Sequence, residues 1–470
     1  MGSKNKFYAD IMAFNSEVTG SCILCNVKFP NCTNVRFLVD CGLYQEKRND
    51  QYNHKLEFMP DSIDFVLVTH SHIDHIGKLP FLVKKGYRSK IYASKEVAGL
   101  FMEPALKDSQ SVIEADSKMR SMPPLYSERD VETTLSLTEG MEYFEEWSPA
   151  AGIKVAFYQN AHVPGAVVIL VRAKYEGCGS INILFSGDYN AVNAFFCSRK
   201  VPDRVKKLPN LTVVVEATYG TTNSADCQPR FEAKMAEVIG EGRNILLMAY
   251  SFGRTQEVLY RLQGLQRKRL LSPEVPIYLD GKLGMKYTML FQKLDISDRM
   301  KDFLPENFHL VSKASREQIV ASPEQKIIVT SSGNGSYGPA LFYEPYFLQS
   351  RNAFMGFTGY VHESSVGDKL KRAAYGSSVK VGGEVVFKRS EVDFFNEFSA
   401  HAKADVLLDF LREFENLKFV LINHGEPETK LAFADRVKRE INPKNVGILD
   451  RDYWFRVDEY GFVKSFTTKF

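Results

Sequence analysis

The sequence predicts an α/β protein: one layered sheet body interrupted by an inserted αβ domain. Three observations carry that prediction. The first 215 of the 470 residues hold short β-branched apolar runs that end in polar or glycine-containing turns. Residues 229 to 332 alternate helix-length with strand-length segments, and short strand-like runs return after residue 385. In chain order, "CILCNVKF", "VRFLVDCG", "DFVLVTH", "SKIYAS", "IKVAFYQNAH", "VVILVRA", "INILFSGD" and "LTVVVEATYG" have the length and composition of strands. Several end on a reactive group, namely Asp40, His70, His162, Asp188 and Glu216. Strands that deliver such groups at their ends predict a sheet with its site along one edge. Helical patterns fall at 96–120 and 128–136. Further helices at 229–240 and 253–268 alternate with "NILLMAY", "PIYLD" and "KIIVTSS", a βαβ rhythm that predicts a separate open parallel sheet. The return carries "VVFK", "FVLINHGE" and "VGILD", with helices near 402–415 and 428–440. No long linker, internal repeat or low-complexity tract interrupts this order.

Composition is that of a soluble globular chain, with 44% hydrophobic and 25% charged residues. A net charge of +3 neither requires nor excludes a nucleic-acid partner, because a local groove matters more than the sum. No run approaches the roughly eighteen apolar residues of a membrane span. The N-terminal "MGSKNKFYAD" lacks the apolar stretch of a secretory signal, and its Met-Gly-Ser is not read as a lipid anchor. A cytoplasmic protein is expected. The seven cysteines, an odd number, are expected to be buried reduced thiols rather than a Cys22–Cys25 metal or redox pair.

The chemistry concentrates in "VLVTHSHIDHIGKLP", which places His70, His72, Asp74 and His75 on one tight loop after an apolar strand. Imidazole and carboxylate suit zinc. One metal cannot take all four groups comfortably from so short a loop. Two metals sharing it relieve the crowding, with further ligands at other strand ends: His162 in "NAHVPGA", Asp188 in "FSGDYN" and His424 in "LINHGE". Asp188 is the candidate bridge. Burying four such groups without a metal would be costly.

The order "LVDCG", "THSHIDH", "NAHVPGA", "FSGDYN" resembles the successive motifs of the metallo-β-lactamase fold. The resemblance implies an αββα sandwich with two Zn2+ ions. His70, His72 and His162 would hold one, Asp74, His75 and His424 the other, with Asp188 shared. Asp40 would hydrogen-bond a ligand histidine and fix its tautomer. Three later stretches are similar to motifs of the β-CASP nucleases: "VVVEATYG" with Glu216, "FNEFSAHAKAD" with His401 and "LINHGEPE" with His424. "SFGRTQEVLY", "VTSSGNGSYGP" and the early "EVTGSC" also fit, and the likeness is greatest to the short single-chain members resembling the cleavage-and-polyadenylation endonuclease core. The implied domains are a metallo-β-lactamase domain over 1–220 and 389–470, with a β-CASP α/β domain inserted over 221–388.

By that resemblance the chain is a zinc-dependent endonuclease of single-stranded RNA, with 5′-exonuclease activity left open. A DNA nuclease of the same fold and a non-catalytic RNA-binding scaffold are the alternatives. A histidine at the third motif goes with RNA-acting members. Asp74, Glu216 and His401 are the expected catalytic residues, His401 as proton donor and Glu216 as its orienting partner. Arg254 is a candidate phosphate fork or else an ordinary surface arginine. Ser331, Ser332, Gly333, Gly335 and Ser399 are candidate substrate contacts, since a Gly/Ser loop lets backbone N–H groups approach a phosphate. Ser399 is also the natural cap of the following helix. The basic run "QRKRL" is read as a solvated helix face. Tyr189 and Asn190 stand where glycine is frequent in the family, so a different local turn is expected there. RNA is the expected partner, with a homodimer or processing-complex subunits left open and no membrane.

Overall fold

The computed structural model describes residues 6–15, 17–361, 363–451 and 453–467. It contains two units: Met1–Asn193, Cys197–Ser224 and His401–Phe470 form one, and Ala194–Phe196 with Ala225–Ala400 the other.

The first unit holds two sheets. One has eight strands in the order Gly461–Thr467, Tyr453–Asp458, Tyr8–Ala13, Ile23–Lys28, Asn34–Val39, Phe65–Leu67, Lys90–Ser94 and Thr138–Met141. The other has seven: Asn445–Ile448, Leu417–Ile422, Leu211–Val215, Ser180–Phe185, Val167–Lys174, Ile153–Gln159 and Glu146–Ala150. Alternation of side chains along each strand builds the layers. Phe37, Val39, Phe65 and Leu67 from the first sheet meet Phe157, Ile169, Phe185, Val214 and Phe419 from the second in one buried core. The intervening residues face outward and are covered by helices. Leu38, Val66 and Val68 pack with Leu79, Leu82, Met102, Leu106 and Val131. Leu170, Val213, Val215 and Ile422 pack with Leu407, Leu411, Phe433 and Val437. The result is the αββα sandwich.

The second unit is built on a six-stranded sheet, Phe308–Leu310, Ile277–Asp280, Ile327–Thr330, Asn244–Met248, Ala353–Phe357 and Glu391–Phe394. All of its pairings are parallel, as the βαβ rhythm predicts. The "VVFK" run forms a strand, as its sequence predicts. Glu384–Phe387 pairs only with Ser378–Val381 in a two-stranded ribbon of this unit. Its side chains are mostly exposed, so no apolar face drew it into a larger sheet.

The cysteines need correction. Only Cys22, Cys25 and Cys41 are buried, whereas Cys32, Cys178 and Cys197 are exposed. Cys22 and Cys25 lie in different apolar layers, so period-two alternation turns them apart and no C-x-x-C pair exists. Among the described residues no helix is long and apolar enough to cross a membrane.

Candidate metal centre

Parallel strand ends assemble the centre, which lies wholly in the first unit. Asn34–Val39 and Phe65–Leu67 run parallel and end side by side on Asp40 and on the His70 loop. In the other sheet Ser180–Phe185, Leu211–Val215 and Leu417–Ile422 are parallel neighbours, so Asp188, Glu216 and His424 leave adjacent ends. Two antiparallel steps bring Ile153–Gln159 into the same direction and deliver His162.

The histidine loop divides its ligands by turning into a helix. His72 is extended (φ −66°, ψ 148°) and precedes the short helix Ile73–Ile76, which carries Asp74 and His75. Gly42 admits this helix. A β-carbon there would stand 1.6 Å from the Asp74 carbonyl oxygen, so only glycine fits. Around it, Ser21 N–H donates to the Asp74 carbonyl and Cys41 N–H to that of His75, both at 2.8 Å.

Two groups of donor atoms result, each with all its atoms within 4.8 Å of one another: His70, His72, His162 and Asp188, and Asp74, His75, Asp188 and His424. Asp188 Oδ2 is 3.6 Å from His70 Nε2, 3.7 Å from His162 Nε2 and 3.2 Å from His75 Nε2, while Oδ1 is 3.4 Å from His424 Nδ1. His72 Nδ1 lies 3.0 Å from His70 Nε2 and 3.2 Å from His162 Nε2. Ligand atoms on a tetrahedral zinc stand about 3.3 Å apart, given Zn–N near ~2.05 Å. Burial pushes the His70 imidazole well down and His72 down to about 4, so both are unprotonated donors at neutral pH. His75 Nε2, Asp188 Oδ1 and His424 Nε2 are buried without a hydrogen-bond partner. Each such atom costs about 1–3 kcal/mol, and three of them around one carboxylate fit a cation-binding site.

Asp40 occupies the left-handed region (φ 62°) at its strand end. Its Oδ2 accepts from Thr69 Oγ1 and lies 2.7 Å from His75 Nδ1, while Oδ1 accepts from Thr69 N–H at 2.8 Å. This contact holds His75 so that Nε2 faces Asp188. Replacing Asp40 with asparagine, which tolerates the same backbone, is expected to weaken metal retention about 10- to 100-fold. Competition with a chromogenic chelator measures it; wild-type retention would remove the orienting role.

His401 and Glu216 form a third grouping beside the second. His401 Nδ1 is 2.8 Å from Glu216 Oε2, and its Nε2 is 3.7 Å from Asp188 Oδ2. Glu216 is buried, whereas the His401 side chain keeps 20% of its surface exposed. Burial works against protonating His401, but Glu216 and Asp188 outweigh it and raise the imidazole to about 9. The helix after it runs Ala404–Arg412 with Lys403 as its cap, so Ser399 is not the cap. A bridge between Tyr219 and Lys403 keeps the chain extended past His401 and delays the helix. Tyr189 N–H donates to Glu216 Oε1 and its ring packs on Phe410, which is how a bulky residue is accommodated after Asp188.

The substrate candidates Arg254, Ser331, Ser332, Gly333, Gly335 and Ser399 belong to the second unit. Arg254 is neither a surface arginine nor an open phosphate fork. It is buried, its Nη1 pairs with Glu257 at 2.5 Å, and its guanidinium lies over Phe398. Ser332 is also turned inward, its Oγ accepting from Ser336 N–H at 3.0 Å. Gly333 and Gly335 are buried, Ser331 and Ser399 are half-buried, and the loop is exposed only over 336–338. Sequence reasoning missed Asn160, which joins two site loops: it donates to the Ser186 and Asp188 carbonyls and accepts from His162 N–H. It also missed Thr69 and Thr218, the latter 3.0 Å from His424 Nδ1. A polar residue at a strand end looks like any turn residue until its partners are known.

Three family models match this chain. Residues 31–150 match the metallo-beta-lactamase superfamily, 255–370 the Beta-Casp domain, and 388–448 the Zn-dependent metallo-hydrolase RNA specificity domain. Among curated proteins, the chain is 29% identical over 415 residues to Ribonuclease TTHA0252 of Thermus thermophilus, covering 85% of this chain and 90% of that protein. It is 27% identical over 449 residues to transcription termination factor FttA of Methanosarcina mazei, covering 90% and 68%. It is 26% identical over 417 residues to an RNase J-like protein of Methanocaldococcus jannaschii, covering 85% and 89%.

Proposed function

Because the chain belongs to the β-CASP branch of the metallo-β-lactamase superfamily, we propose that it is a metal-dependent ribonuclease that hydrolyses phosphodiester bonds of single-stranded RNA. One observation carries the reading. Asp188 stands between two donor groups with the His401–Glu216 pair against it, inside a chain whose residues 388–448 match the RNA specificity model. The ribonuclease names among its relatives support it.

The donor set, imidazole with a shared carboxylate, suits two zinc ions. Such a pair, when bound, supplies a water of lowered pKa and compensates charge on the phosphate oxygens. The chain's own residues do the rest. Asp40 holds His75 in orientation through Nδ1. Glu216 holds His401 through its Nδ1, which leaves a proton on Nε2 facing Asp188. The Glu216 carboxylate at Nδ1 favours the protonated imidazole, which can release its Nε2 proton to the leaving oxygen.

The direct test incubates purified protein with end-labelled single-stranded RNA and DNA, with and without chelator. Cleavage of RNA that stops on chelation supports the reading; RNA left intact by metal-loaded protein would sink it. The ends of the products are a separate expectation. Water rather than the 2′-hydroxyl is the nucleophile in this chemistry, so products carry 5′-phosphate and 3′-hydroxyl ends. Mass spectrometry that found 2′,3′-cyclic phosphates would contradict the mechanism.

A further inference from the structure

We infer that Tyr337 and Tyr360 form a base-stacking platform for single-stranded RNA on the second unit, a step that rests on the ribonuclease reading. Exposed aromatic residues scattered singly need no explanation. These two are not scattered. Tyr337 lies in the loop after the strand Ile327–Thr330, and Tyr360 lies just past the strand Ala353–Phe357. Both strands pair with Asn244–Met248, one on each side and in parallel, so the two tyrosines leave the same edge of the sheet. Their exposures are 53% and 59%.

The residue between them explains how they are held. Tyr250 follows the central strand, and its hydroxyl donates to the Tyr360 carbonyl at 2.7 Å. An added β-carbon at Gly333 would stand 2.5 Å from the Tyr250 ring, and one at Gly359 would stand 3.1 Å away. The ring is thus wedged between two glycine backbones, one preceding each exposed tyrosine. The Tyr337 loop is braced from within. Ser336 N–H donates to Ser332 Oγ and to Asn334 Oδ1, and Ser336 Oγ accepts from Val366 N–H at 3.1 Å. The serine and glycine residues nearest the strand therefore shape the loop, while its exposed tip presents Tyr337.

The exposed Lys282 follows Gly281, where an added β-carbon would stand 2.4 Å from Ser331 Oγ, so a cation borders the same loop. Aromatic faces hold single strands by stacking on any base, with little regard to sequence. Tyrosine does this at low entropy cost, having two side-chain torsions.

The test measures binding by the full chain in a His401→Ala background, where turnover is slow. Fluorescence anisotropy compares labelled oligouridylate with an abasic ribose-phosphate oligomer of equal length. Adding Tyr337→Ala and Tyr360→Ala is expected to weaken oligouridylate binding roughly 5- to 100-fold and to leave the abasic oligomer unchanged. Phenylalanine at both positions should restore affinity. With His401 intact, the same alanine pair should hydrolyse a bis-nitrophenyl phosphate at the wild-type rate, which reports that the fold and metal centre are sound. Undiminished oligouridylate binding, or an equal loss on the abasic oligomer, would overturn the platform alone. A wild-type chain that neither binds nor cleaves RNA would remove the ribonuclease reading, and the platform with it.

Discussion

The Asp188→Ala variant is expected to lose metal from both donor groups and to lose more activity than the ~10²–10⁴-fold that absence of a proton donor costs. The reason is position. Asp188 is the one residue common to both groups, and its two oxygens face His70, His75, His162 and His424 at 3.2–3.7 Å. Removing it leaves imidazoles packed against one another without the anion that balances a cation. Asp74 supplies the comparison, because it belongs to one group only. Wild-type protein should carry about two zinc ions per chain, Asp74→Ala about one fewer, and Asp188→Ala less than either. Elemental analysis of exhaustively dialysed protein reads the three values directly. An Asp188→Ala sample that kept the full wild-type content would remove the shared-carboxylate arrangement. The fold should survive in each case. The core between the sheets is built from apolar residues such as Phe37, Phe65, Phe157 and Phe185, not from the ligands.

The second large effect is on chemistry alone. His401 lies outside both four-residue groups, though it faces Asp188 across 3.7 Å. His401→Ala is expected to keep metal content and RNA affinity and to slow the chemical step by roughly 10²–10⁴-fold. The loss should shrink on a nitrophenyl phosphodiester, whose leaving oxygen departs without a proton. If the histidine merely contacted phosphate, the variant would bind RNA poorly and turn over normally when saturated. That result would end the proton-donor role. Glu216→Gln should act through the same imidazole. Its oxygen faces His401 Nδ1 at 2.8 Å, so losing the charge lowers the histidine from about 9. The alkaline limb of the rate profile should then move to lower pH, since a donor must be protonated to act.

Legibility in the sequence varied with the range of the interaction. The strand "VRFLVDCG" was readable because Phe37 and Val39 face the inner core while Leu38 faces outward, a period-two pattern contained in a few residues. In the inserted sheet, Asn244–Met248, Ile277–Asp280 and Ile327–Thr330 were readable because each is followed by its own helix. The strand Tyr8–Ala13 was not, nor were Tyr453–Asp458 and Gly461–Thr467. Tyr8–Ala13 and Tyr453–Asp458 pair across opposite ends of the chain, as in the contact of Arg456 with Asp10 across 446 residues, and Gly461–Thr467 joins the sheet through Tyr453–Asp458. The partners of Arg254 and Ser332 were illegible for a related reason. Arginine and serine in a glycine-rich context suit a phosphate contact, and only the fold shows Arg254 Nη1 beside Glu257 and Ser332 Oγ accepting from the Ser336 amide.

By itself the sequence determined which groups can hold a metal and which strand ends carry them. Ligand chemistry belongs to residue type, and strand alternation is a local property of the pleated chain. It took the folded chain to turn Asp40 onto His75, to set Glu216 behind His401, and to pack Tyr250 between Gly333 and Gly359. Those outcomes depend on which strands become neighbours and which side chains find partners. That is settled by burying apolar faces and satisfying polar atoms across hundreds of residues, which no local window of sequence contains.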